Sequence, residues 1–141
     1  MPKKRGTRPT DISFRSVPCI NVQDILTSIA YYCQKLGFTK EWEYVDETGK
    51  MTMAGLHRDG IEVFVEEKND SYDFGMQLYL ELDPTNMLSA LYEEFQAMGA
   101  NILEPPKMRS WGWTVMLVTD PDGNILRFCG DERADLKPRN P

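Results

Sequence analysis

A chain of 141 residues with 41% hydrophobic content supplies one domain's worth of core. No apolar run approaches the roughly 18 residues that span a bilayer, so no membrane segment is expected. The 22 acidic residues outnumber the 16 basic ones, and four of the bases (Lys3, Lys4, Arg5 and Arg8) lie in the first ten residues, so the body carries a net charge of about −10, which disfavours DNA and anionic lipid and suits a cationic ligand.

Residues 1–11 read as a disordered basic tail, and no apolar stretch follows the bases, which argues against a secretory leader. Ile12 to Val22 reads as a strand carrying Phe14, Val17, Cys19, Ile20 and Val22; Pro18 cannot donate to a ladder and marks an edge or a bulge. Asp24 is a candidate N-cap. The apolar positions Ile25, Ile29, Cys33 and Leu36 then share one helical face, flanked by Leu26 and Ala30, and Gly37 supplies the left-handed residue that ends the helix. Thr39 to Val45 and Lys50 to His57 read as strands around the turn Asp46-Glu47-Thr48-Gly49. Asp59-Gly60 predicts a two-residue hairpin turn, because both central positions of a type I′ turn need positive φ, and Ile61 to Glu66 completes a β-α-β-β-β unit.

After the polar linker Glu67 to Asp73, Met76 to Leu82 reads as a strand with Leu78, Leu80 and Leu82 on one side and Gln77, Tyr79 and Glu81 on the other. Asp83-Pro84 reads as a capping carboxylate before a proline at the first helical position, and Leu88, Leu91, Phe95 and Met98 form the stripe of a second helix that Gly99 stops. Asn101 to Leu103 predicts a short strand that Pro105-Pro106 interrupts. Trp113 to Thr119 and Asn124 to Phe128 form a closing hairpin through Asp120-Pro121-Asp122-Gly123, and residues 131–141 read as a charged tail.

The second half thus repeats the first, a helix ending in Gly followed by strands and an Asp-Gly hairpin. Two copies are too few for a stacked array, so function is expected in a cleft between them. Cys19, Cys33 and Cys129 are widely spaced, and an odd number of cysteines in a chain without a leader predicts reduced thiols and a cytoplasmic location. His57 is the only histidine, which leaves little for imidazole-based metal or triad chemistry.

The Val17-Pro18 and Asp24 opening, Lys35-Leu36-Gly37-Phe38, Arg58-Asp59-Gly60, and Ser110-Trp111-Gly112 followed by Asp120-Pro121-Asp122-Gly123-Asn124 together resemble the vicinal oxygen chelate superfamily. That superfamily includes glyoxalase I, extradiol dioxygenases, fosfomycin-modifying enzymes and bleomycin resistance proteins, and the last branch is the most similar. The resemblance implies an α+β fold of two βαβββ modules, about 12–67 and 74–130, forming curved mixed sheets around a cleft in a single domain of residues 12–130.

The resemblance also frames the chemistry. Metal-using members hold a divalent ion with His, Gln or Glu side chains from four strands. The matching positions here are Pro18, Phe64, Met76 or Gln77, and Arg127. Pro and Phe cannot ligate and Arg places a fixed cation there, so no metal and no cofactor are expected. A site built from His57, Glu62 and Glu66 is the alternative, against a solvated strand face.

In the bleomycin resistance branch a Trp-Gly tryptophan stacks on the flat part of the drug in a dimer-interface cleft, and Trp111 matches it. Strand alternation would put Trp113 on the same face, and Trp42 with Tyr44 would supply the opposing wall. Met53 stands where the family carries an aromatic. The candidate ligand-binding set is therefore Trp111, Trp113, Trp42, Met53, Phe64, Gln77, Tyr79 and Arg127, with Glu66, Glu67, Asp70 and Asp73 as negative charge at the mouth.

The resulting expectation is a non-catalytic homodimer that sequesters a flat cationic or amphipathic small molecule such as a bleomycin-type antibiotic, with no nucleic-acid or membrane partner. Two alternatives stand beside it. One is a divergent lyase, isomerase or dioxygenase using Gln77, Glu62 or Glu81; the other is a subunit whose exposed aromatics meet protein.

Overall fold

The computed structural model describes residues 15–67 and 75–133. The basic tail of residues 1–11, the start of the first predicted strand, Asp70 and Asp73 of the linker, and residues 134–141 lie outside the described residues.

The architecture is α+β. In the first module, β1 (Cys19–Val22), α1 (Ile25–Lys35), β2 (Thr39–Val45), β3 (Met51–Arg58) and β4 (Ile61–Glu67) form a sheet in the order β1-β4-β3-β2. The second module repeats it with β5 (Gln77–Glu81), α2 (Leu88–Met98), β6 (Ile102–Met108), β7 (Thr114–Thr119) and β8 (Ile125–Gly130), ordered β5-β8-β7-β6. In each sheet the first strand pairs parallel with the last and the other pairs are antiparallel. No helix among the described residues is long and apolar enough to cross a membrane.

Local chemistry accounts for the elements. The Asp24 carboxylate accepts the Thr27 amide at 3.1 Å and caps α1, and Asp59 and Gly60 take φ of +46° and +85°, as a type I′ turn requires. Each helix covers one face of its sheet. One continuous core joins Ile20, Val22, Ala54, Leu56, Val63 and Val65 of the first sheet to Met116, Val118, Leu126 and Phe128 of the second, with Phe95 set edge-on to Phe128 at 5.3 Å. Among the described residues, no helix covers the opposite face of either sheet.

Four sequence expectations are corrected. The first strand begins at Cys19 rather than near Ile12, and residues 15–18 are not strand, although the Pro18 carbonyl accepts the Phe64 amide at 2.9 Å. The buried side of α1 is Ile25, Ser28, Tyr32 and Leu36; Ile29 and Cys33 are half-buried and Leu26 is 65% exposed, because the stripe turns toward the partner module. Asp83 does not cap α2. A short 3₁₀ turn (Thr85–Met87) precedes that helix, and the Glu132 carboxylate accepts from the Leu88 amide and the Ser89 hydroxyl at 3.0 and 3.3 Å. Finally β6 runs straight through Pro105 and Pro106, because it is an edge strand whose register shifts on both sides of Glu104 release the missing donors.

Candidate functional site

The helix-free face of the first sheet carries an aromatic platform. Trp42 pairs across β2 and β3 with Gly55, which pairs in turn with Phe64 on β4. A Cβ on Gly55 would lie 2.2 Å from Trp42 Nε1, so only glycine lets the indole lie across the strand and meet Phe64 edge-on, with centroids 4.9 Å apart. In the neighbouring register Tyr44, Met53 and Glu66 align, with Tyr44 53% exposed. His57 and Glu62 are cross-strand partners, and Glu62 is ion-paired with Arg15. The Cys19 thiol donates to Glu66 at 3.6 Å; burial first, and then the Glu66 carboxylate, push its pKa up to about 11. At neutral pH that thiol is neutral and inert.

The helix-free face of the second sheet bears Gln77, Tyr79, Arg127 and Leu117, with Tyr79 and Arg127 directly opposed across β5 and β8 and Tyr79 55% exposed. Trp111 and Trp113 lie in the turn between β6 and β7, not in a strand, so the alternation that would place them on one face does not operate. The Arg109 amide donates to the Trp113 carbonyl at 2.8 Å and the Gly112 amide to the Arg109 carbonyl at 2.9 Å, which leaves Trp111 61% exposed at the tip and Trp113 half-buried. Arg133 holds the turn by donating to the Gly112 carbonyl at 2.8 Å.

Of the eight candidate binding residues, the structure groups Trp42, Met53 and Phe64 on one sheet face, Gln77, Tyr79 and Arg127 on another, and Trp111 and Trp113 in a separate turn. Among the described residues no three His, Cys, Asp or Glu side chains come together as a metal-holding group, and His57, Glu62 and Glu66 are not gathered into one. Gly55 is the residue of this platform that sequence reasoning missed. Its signal was a glycine inside a strand pattern, which marks close approach by a neighbour.

The Asp120-to-Asn124 signature serves the fold. Asp120 accepts from the Tyr32 hydroxyl at 3.0 Å, from the Asp122 and Asn124 amides at 2.9 Å each, and from the Asn124 side chain at 2.8 Å. Asn124 accepts the Met76 amide at 2.9 Å and donates to the Asn21 carbonyl at 3.2 Å. The turn therefore staples β5, the end of β1 and α1 together. Burial and the Asp120 charge hold Tyr32 well above its usual pKa, which keeps it a donor.

A cavity of about 490 Å³ lies elsewhere, between the Asp59-Gly60 turn and α2, and contains none of the eight candidate residues. Leu80, Leu82, Leu91 and Phe128 wall it, and Arg58, Asp59, Asp83 and Glu94 supply its charge.

Comparison with known proteins places this geometry. The family model described as the Glyoxalase/Bleomycin resistance protein/Dioxygenase superfamily matches residues 15–128. No curated protein matches. Among solved structures, TioX from Micromonospora sp. ML1 is 19% identical, with 84% of this chain and 98% of that one covered at a TM-score of 0.69. The bleomycin resistance determinant encoded on transposon Tn5 is 22% identical, covering 85% and 99%, TM-score 0.66. A bleomycin-binding protein complexed with bleomycin is 21% identical, covering 85% and 100%, TM-score 0.65. These identities speak for the fold.

Proposed function

Since this chain belongs to the Glyoxalase/Bleomycin resistance protein/Dioxygenase superfamily, we propose that it is a small-molecule sequestering protein, non-catalytic and homodimeric, that binds a flat cationic or amphipathic ligand, with a bleomycin-type antibiotic as its best single candidate. The observation that carries the reading is the platform in which Trp42 lies over Gly55 against Phe64. A planar ligand on such a platform gains its area burial plus roughly 0.5–1.5 kcal/mol of ring geometry. A cationic group adds attraction to the π-face.

Both helix-free sheet faces carry aromatic or long side chains with solvent access, Tyr44 on one and Tyr79 and Arg127 on the other. Dimerisation that lays the first face of one protomer against the second face of its partner would enclose a cleft with Trp42, Met53 and Phe64 on one wall and Gln77, Tyr79 and Arg127 on the other. The exposed Trp111 turn would then reach its mouth. The net acidity of the chain is compatible with a cationic cargo and with a cytoplasmic role in antibiotic resistance.

Tryptophan-fluorescence titration with metal-free bleomycin tests the reading, run beside Trp42→Ala and Trp111→Ala. Saturable quenching at one drug per protomer, weakened about tenfold or more in each variant, supports it. A flat titration to high micromolar drug removes the antibiotic assignment, and a monomer in sedimentation equilibrium removes the two-walled cleft.

A further inference from the structure

The two modules dock through pseudo-equivalent contacts, and the cavity exists because those contacts differ. With Gly37 and Gly99 matched as the left-handed residues that end the helices, Tyr32 of α1 corresponds to Glu94 of α2 and Ser28 to Ala90. The closing hairpin has a five-residue turn, 120–124, whose Asp122 reaches the start of α1, accepting the Gln23 amide at 3.1 Å and the Ser28 hydroxyl at 3.3 Å. The first hairpin has a turn of only two residues, Asp59 and Gly60, and it faces a smaller side chain at Ala90. The space toward the start of α2 stays open.

The walls and the charge of that space point one way. Leu80, Leu82 and Leu91 are half-buried and pack on the core, and Phe128 is 2% exposed, so the interior is apolar. Around it stand the carboxylates of Asp59, Asp83 and Glu94 against one guanidinium, Arg58, whereas Glu81 alternates with Leu80 along β5 and belongs to the Tyr79 side of the sheet. Arg58 is already held by Asp59 and Glu94 at 2.7 Å each, so its charge is neutralised within the wall and the remaining field is negative. The positive end of α2 is taken as well, because Glu132 accepts from Leu88 and Ser89.

We infer that this cavity is a second ligand site, separate from the sheet faces, for an organic cation with an apolar body and a protonated amine. Its volume lies in the range of small-molecule pockets, roughly 300–1,000 Å³. The apolar body occupies the space between Leu80, Leu91 and Phe128, and the amine faces Asp83.

Isothermal titration of the full chain with phenylbutylamine, phenylbutyrate and phenylbutanol separates charge from apolar contact. The expected order is amine first, with the carboxylate about tenfold weaker or worse. Asp83→Asn is expected to bring the amine down to the level of the alcohol. Ala90→Trp, which fills the space from an exposed helical position, is expected to abolish binding, while Trp42→Ala leaves it unchanged. Equal affinity for amine and carboxylate, no amine binding at millimolar concentration, or binding that survives Ala90→Trp would each overturn the site. Amine binding lost in Trp42→Ala but kept in Ala90→Trp would overturn it while favouring the sheet-face reading, so the two proposals fail separately.

Discussion

The two hairpin turns make the same architectural contact with opposite chemistry. At the second, Asp120, Asn124 and Tyr32 interlock, with 4%, 0% and 0% of their surfaces exposed. At the first, Arg58 bridges the Leu36 carbonyl and Glu94 at 2.7 Å each, in a pair whose acidic partner is 39% exposed. Buried, fully partnered polar groups cost most when one member is removed, whereas half-exposed ion pairs contribute little net stability. One docking edge is therefore a fixed staple. The other leaves open space beside a more forgiving contact, which is where a binding cavity can be tolerated.

The sharpest way to break that contrast is Asn124→Asp. The substitution exchanges one NH2 for oxygen, yet it removes the donations to the Asn21 carbonyl and to Asp120 and sets two carboxyl groups against each other in the interior. A loss of about 3–5 kcal/mol is expected in urea unfolding. A loss below about 1 kcal/mol would mean that the staple holds nothing.

Gly55→Val should come next, at about 1–3 kcal/mol, because its side chain would drive Trp42 off Phe64. Tryptophan emission should shift to the red as the indole enters water, and quenching by the titrated drug should weaken in step. Unchanged emission would show that the glycine does not position the indole. Arg58→Ala should cost less than Asn124→Asp, about 1–2 kcal/mol, with part of the loss disappearing at high salt. A cost equal to that at Asn124 would erase the difference between the turns.

The repeat, the strands of the two Asp-Gly hairpins, the Asp59-Gly60 turn and the second-helix stop at Gly99 were legible because each rests on local periodicity or a φ requirement. What stayed hidden depends on contacts distant in sequence. Tyr32 could not be singled out on α1 because its partner Asp120 lies 88 residues away, and the Glu132 cap on α2 is 44 residues from the amide it satisfies. Pro105 and Pro106 misled for a related reason: only pairing order reveals that β6 is an edge. For the site, residue types pointed to Trp42 and Phe64, but the glycine between them carries the geometry. The turn motif that marks the family most clearly, 120–124, builds the staple rather than a ligand surface.

The smallest effect belongs to Asp122 and sharpens the comparison from within the staple itself. Its carboxylate accepts from Gln23 and Ser28, but burial, followed by the nearby Asp120 charge, raises its pKa above the ordinary aspartate value. A carboxyl whose folded pKa is raised favours the folded state most when protonated. Its contribution is complete below the unfolded pKa and is lost as pH rises through the folded one. At pH 7 the ionised side chain therefore works against a contact that its hydrogen bonds support. Asp122→Asn keeps an acceptor for the Gln23 amide and removes the charge, so a small gain in stability is expected at pH 7, shrinking as both proteins are brought below the unfolded aspartate pKa. Unfolding midpoints at several pH values compare the two directly. A gain that grows on acidification would reverse the sign and place Asp122 among the groups stabilised by ionisation, making both docking edges electrostatic rather than one.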